Sequence, residues 1–209
     1  MSKTSQLALI LSVLLFNAVL FIIGLDDLTL FVDEGWSTAV ISSDTLGTVT
    51  HWLEDDVHPP LYFYMMYGWR HIAGDTIFAL RYVAVLQTLL TIAILYRLAT
   101  SLFNPTAGLV AALFFALHDL IAVLGQEIRH YPQSYLFVTL SLWLYWRFYR
   151  CTTLSRGLLF VLSGAAVLWT HYWGGFVLLA IGFHALYTRK KLLPTALAGL
   201  AIGLLFLPW

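Results

Sequence analysis

The stretch "PPLYFYMMYGWRHIAG", Pro59 to Gly74, is apolar enough to suggest a membrane span. It is also short for one and carries Arg70 and His71. Its two prolines stop any helix arriving from the N-terminal side. Whether it crosses decides the side on which every later loop falls. The chain around it has 209 residues, of which 60% are hydrophobic and only 11% charged, with mean hydropathy +0.83. A soluble domain is about a quarter charged, so this composition belongs in a bilayer. Formal net charge is zero, which leaves no footprint for nucleic acid. The lone cysteine, Cys151, excludes an internal disulfide and suggests no cysteine metal site.

Apolar runs lie at Leu7–Gly24, Arg81–Leu102, Thr106–Leu124, Ser134–Tyr149, Gly157–Tyr172, Gly174–Tyr187 and Leu192–Trp209. Leu7–Gly24 lacks small residues at a cleavage position and reads as an uncleaved first span. Several runs approach the roughly 20 residues that a spanning helix needs, and the shorter ones must recruit their flanks.

The positive-inside rule arbitrates. If Pro59–Gly74 lies at the interface and the N-terminus is inside, Lys3, Arg97, Arg147, Arg150, Arg156, Arg189, Lys190 and Lys191 all fall on the cytoplasmic side. All 11 Asp and Glu residues then fall outside, with only Arg70, Arg81 and Arg129 as outward bases. If the stretch crossed, Arg147, Arg150, Arg156 and the "RKK" run would flip outward. The expected fold is therefore an all-α polytopic membrane protein of about seven transmembrane helices. Interfacial helices would lie in the first outer loop. Residues 1–209 would form one transmembrane domain, with outer loops at about 25–80 and 124–133.

That layout collects one outward set: Asp33, Glu34, His58, Arg81, Gln126, Glu127, Arg129, His130, Tyr131, His171 and Tyr172. Each has a plain structural alternative. Asp33 and Glu34 could charge the first turn of a helix starting near Gly35. "HPP" could merely break a helix, Glu127 and Arg129 could pair in an interfacial loop, and His171 could belong to an aromatic belt. The outward arginines are harder to dismiss. Arg81 sits at the mouth of a span, where charge is expensive and usually functional, and its planar fork suits phosphate. Carboxylates with arginines on one membrane face suit transfer of a group from a lipid-phosphate carrier. A non-catalytic lipid-phosphate binder or transporter, or an assembly subunit, remains the alternative. A transporter would be expected to carry charges at mid-membrane, and none is visible.

The order "DEGW … HPPLYF … ALRYVAVLQTLLTIAILYRLATSLF … QEIRHYPQSYLF … THYWG" resembles membrane glycosyltransferases of the GT-C fold. It is most similar to the superfamily of protein O-mannosyltransferases and aminoarabinose transferases. The resemblance implies that a hexose or pentose moves, with inversion, from a polyprenyl-phosphate donor to a glycan, lipid or protein acceptor. It places the protein in the cytoplasmic membrane with its active site facing outward. It makes Asp33 and Glu34 catalytic, with Asp33 as the base and Glu34 assisting, or the two together holding a divalent metal ion. It places His58, Arg81 and Arg129 at the donor phosphate. Gln126, Glu127, His130, Tyr131, His171 and Tyr172 would line the substrate pocket. Such relatives are usually longer, so these residues read as a C-terminally truncated core.

Overall fold

The apolar runs all become helices, and one of them breaks in two. In the computed structural model, which describes residues 2–27 and 29–209, these are α1 (Lys3–Ile22), α5 (Ile77–Leu102), α6 (Pro105–Ala116), α7 (Asp119–Leu124), α8 (Tyr131–Arg150), α9 (Leu154–Thr170), α10 (Gly175–Thr188) and α11 (Leu192–Phe206). The long first connection adds three short helices, α2 (Val32–Ile41), α3 (Leu46–Glu54) and α4 (Leu61–Ala73). No strand occurs among the described residues.

The expected run Thr106–Leu124 is interrupted after Ala116. The Nδ1 of His118 and the carboxylate of Asp119 both accept from the Leu120 N–H, which restarts the chain as α7. A polar pair that satisfies a helix N-terminus cannot also continue the helix before it. Length and apolarity together mark only two spans among the described residues, Thr4–Ile22 and Ile77–Leu102. The expectation of about seven is not met on that measure. Four further apolar helices run from 12 to 17 residues, short of the roughly 20 residues that cross the hydrocarbon unaided. Much of the apolar surface faces outward, including Leu7, Leu15 and Phe16 of α1 and Phe176, Phe183 and Leu200 of α10 and α11. That pattern suits a hydrocarbon solvent.

α5 is the axis of the bundle. α1 lies antiparallel to it, with Ile10 against Ile92 and Tyr96 at one end and Phe21 and Leu25 against Val85 at the other. α8 runs parallel to α5, as Gln87 meets Gln133 near their starts and Trp146 bonds the Ser101 carbonyl near their ends. α9 returns antiparallel to α8, bringing Thr170 to Gln133. The starts of α5 and α8 and the end of α9 therefore meet at one end of the bundle. Arg147, Arg150, Arg156, Arg189, Lys190 and Lys191 belong to the opposite end, in agreement with the division of charge read from the sequence.

Pro59–Gly74 is not among the candidate spans of the described residues. It forms the 13-residue α4, stopped by Gly74 at a positive φ of 88°. Val40, Ile41, Val49, Leu53, Tyr62, Phe63 and Met66 from α2–α4 pack with Leu80, Val83 and Ile128 into a small core over the start of α5. Trp69 donates its indole N–H to the Ala79 carbonyl, and Arg70 donates to that of Ile41, which tie α4 to α5 and α2.

Gly108 sets the approach of α6 to α5. A Cβ there would lie 2.8 Å from the Tyr96 carbonyl oxygen and would also strike Thr100 Oγ1. Backbone cannot yield as a side chain can, so Gly108→Ala should destabilise the protein by about 1–3 kcal/mol. In thermal unfolding in detergent, Gly182→Ala serves as control, because its added Cβ meets nothing within 4 Å. Equal melting temperatures for the two variants would remove Gly108 from this role.

Candidate active site

α2 begins at Val32, earlier than the expected start near Gly35. Asp33 and Glu34 therefore occupy its first turn, where a carboxylate favours the unpaired N–H groups. The two neighbours point to different worlds. Glu34 is fully buried, whereas the Asp33 side chain is 69% exposed.

Glu34 Oε1 accepts from Arg81 Nε at 3.0 Å and from the Ile128 N–H at 2.9 Å. Its Oε2 accepts from Arg81 Nη2 at 2.8 Å and from the Phe31 N–H at 3.1 Å. Two donors on each oxygen fill the acceptor sites of a carboxylate. Arg81 is only 3% exposed and also donates from Nη1 to the Leu25 carbonyl at 2.9 Å. Burial alone would raise the Glu34 pKa. The bidentate guanidinium and the two backbone N–H groups outweigh it and hold the carboxyl below its usual value of 4.5. Glu34 thus has no oxygen left to share a metal with Asp33. Arg81, expected at the donor phosphate, has its guanidinium occupied inside the protein.

Asp33 and Arg129 form a second pair, the acid exposed and the arginine buried, with Arg129 Nη2 3.9 Å from Asp33 Oδ2. Arg129 Nη1 donates long bonds of 3.3 Å to the Asp33 carbonyl and to Ser37 Oγ. Its Nε is buried without a partner, and its guanidinium carbon lies 5.9 Å from the Tyr131 ring centre. Glu127 stands near this group. Burial first, and then the Glu34 charge, push its carboxyl pKa up.

Beside Arg129 the three histidines converge. His130 is 2% exposed, and its ring centre lies 4.6 Å from that of His58 and 4.5 Å from that of His171. Burial, and then the neighbouring His58, hold the His130 imidazole neutral, with its pKa pushed down to about 2. His171 is pushed down in the same way, by burial first. Tyr62 sits against His130, and its buried hydroxyl has no partner.

Two expected pocket residues lie at the margin. Gln126 turns its amide back to the Ala122 carbonyl of α7. Tyr172 is exposed and accepts from the Trp209 indole at 3.0 Å. Five residues at this site, Ser37, Asp56, Gln87, Gln133 and Thr170, stood outside the expected set. Ser37 bonds Arg129, and Asp56 accepts from His58 Nδ1 at 2.9 Å. Gln133 accepts from Gln87 at 3.3 Å and donates to Thr170 at 3.1 Å beneath the histidines. Gln133 lies within the quoted "QEIRHYPQSYLF", and its type, an amide opening an apolar helix, was the available signal.

The all-helical bundle thus gathers carboxylate, guanidinium and imidazole groups from distant parts of the chain at one end. Residues 57–209 match the family described as dolichyl-phosphate-mannose-protein mannosyltransferase, and the chain belongs to that family. It is thus a membrane glycosyltransferase whose donor is a sugar linked to a polyprenyl phosphate. No curated protein and no solved structure matches the chain. The matched region holds Arg81, residues 126–131 and His171, while Asp33 and Glu34 precede it.

Removing one partner of a buried pair strands the other charge, at about 3–5 kcal/mol. Glu34→Gln and Arg81→Met should each destabilise by that order, whereas Asp33→Asn should leave stability nearly unchanged. The sign with pH follows from the lowered pKa. The stabilisation by ionised Glu34 is fully present above about pH 4.5 and is lost as pH falls through the lower folded value. Thermal unfolding followed from neutral pH down through that window should show this acid loss, and the Glu34→Gln protein should lack it.

Proposed function

We propose that Asp33 is the general base of an inverting sugar transfer on the outward face of the cytoplasmic membrane, with Arg129 at the donor phosphate. The observation that carries this is the contrast between the adjacent acids. Glu34 is consumed by Arg81, whereas Asp33 is exposed beside an arginine that has an unpartnered N–H.

The chemistry is a single displacement. The acceptor oxygen attacks the anomeric carbon while its proton passes to the Asp33 carboxylate. The bond from that carbon to the phosphate oxygen breaks, and the polyprenyl phosphate leaves with the electron pair. Arg129 is the group placed to meet the charge that grows on that phosphate. Arg81 acts at one remove, as a positioning residue. It fixes Glu34 and, through it, the first turn of α2 that presents Asp33. Glu127, His130, Tyr131, His58 and His171 surround this centre as the proposed pocket, with Gln126 and Tyr172 at its edge. The acceptor is a glycan, lipid or protein reached from the outside, which is the side left free if the basic end of the bundle faces the cytoplasm.

Transfer from a polyprenyl-phosphate sugar, measured in membranes or detergent, tests the assignment. Asp33→Asn should lower kcat by about 10²–10⁴-fold, the usual contribution of a positioned base, with donor binding retained. Arg129→Ala should weaken donor binding and transfer together. Wild-type transfer by Asp33→Asn would overturn the base. Donor binding without any transfer by the wild type would favour a lipid-phosphate binder instead.

A further inference from the structure

The imidazoles of His58, His130 and His171 come from three distant parts of the chain: the turn before α4, the loop before α8 and the turn after α9. One nitrogen of each lies within 4.8 Å of the others. Both ring nitrogens of His130 are buried without a hydrogen-bond partner. A buried polar atom left in that state is costly, and nothing among the described residues satisfies it. His58 is already oriented as a ligand. Its Nδ1 faces the Asp56 carboxylate at 2.9 Å, which leaves Nε2 with its lone pair. A carboxylate behind a histidine is the usual support for a metal-bound imidazole.

We propose that His58, His130 and His171 bind one divalent transition-metal ion of the zinc class, with Asp56 as the outer support of His58. Neutral imidazole nitrogens select zinc, cobalt, nickel and copper over magnesium or calcium. Three nitrogen ligands leave a fourth tetrahedral position for an oxygen donor. Zinc–nitrogen bonds of about 2.0–2.1 Å put ligand nitrogens roughly 3.3 Å apart in a tetrahedron, so the rings close by a small amount on binding. His171 is the ring with room to do so, because it lies in a turn and is only partly buried. Its Nδ1 accepts a 3.2 Å bond from the Trp173 N–H. Ligation through the other nitrogen moves the ring proton to Nδ1 and forfeits that long bond. The site needs only the three rings, so it stands or falls independently of Asp33 and of sugar transfer.

The test uses the full chain purified without a histidine tag, stripped with chelator and titrated with Co²⁺. The expected result is saturation at one ion per chain, with the visible bands of four-coordinate Co²⁺, bleached by Zn²⁺. His58→Gln and His171→Gln should each abolish the bands or weaken binding more than about 10-fold, and Asp56→Asn should weaken it by about 10-fold while keeping the bands. Unfolding temperatures confirm that each variant is folded. A folded wild type without bands overturns the site, as do bands that survive unchanged in the double variant His58→Gln/His171→Gln.

Discussion

The two-pronged bond between Glu34 and Arg81 is the constraint on which this end of the protein depends. It joins residues 47 apart in sequence, at 2.8 and 3.0 Å, with no exposure of the carboxylate. Through the Leu25 carbonyl it also holds the segment after α1, and through the Ile128 N–H it holds the loop before α8. Four separate stretches of chain thus meet on one pair of side chains. A buried ion pair adds little net stability over apolar packing. Its value is in allowing one arrangement only, because any other leaves two charges without partners. The cap of α2–α4 is seated on α5 by that requirement, and Asp33 and Arg129 are neighbours as a result.

The family match starts at Val57, beyond the acidic pair. The structure nonetheless binds that pair to the matched region, since both the guanidinium and the backbone N–H that fill Glu34 Oε1 come from residues inside it. The long connection between α1 and α5 is therefore built as part of the same site rather than as an appendage to it.

Much of this fold was legible in the sequence because hydrophobic runs and the sorting of Lys and Arg are one-dimensional signals. Pro59–Gly74, ambiguous by its own residues and set at the interface by the sorting of Lys and Arg, forms the 13-residue α4 over the start of α5. The break at His118 was not legible. It arises from side-chain bonds of His118 and Asp119 to the Leu120 N–H, and that polar pair is flanked on both sides by apolar residues that read as one run. Within the site, the motif residues named from the sequence come together at one end of the bundle, but their pairing was not readable from the motifs. Adjacent Asp33 and Glu34 look interchangeable on paper. They differ because a helical turn swings successive side chains about 100° apart, one toward Arg81 and the other toward solvent. The meeting of His58, His130 and His171 depends on the relative heights of α4, α8 and α9, which no local pattern encodes.

Those heights lead back to Gln87, Gln133 and Thr170, the buried amide–amide–hydroxyl chain across α5, α8 and α9. Apolar helices meet through side chains of similar size, and in a hydrocarbon solvent a slide of one helix past another changes little. A polar chain at a single level changes that. Displacing any of the three helices along its axis by one residue, about 1.5 Å, would pull its amide or hydroxyl away from its partner. The three residues act as a pin through the bundle, and the tolerance of the whole site above them is set by how firmly that pin is seated.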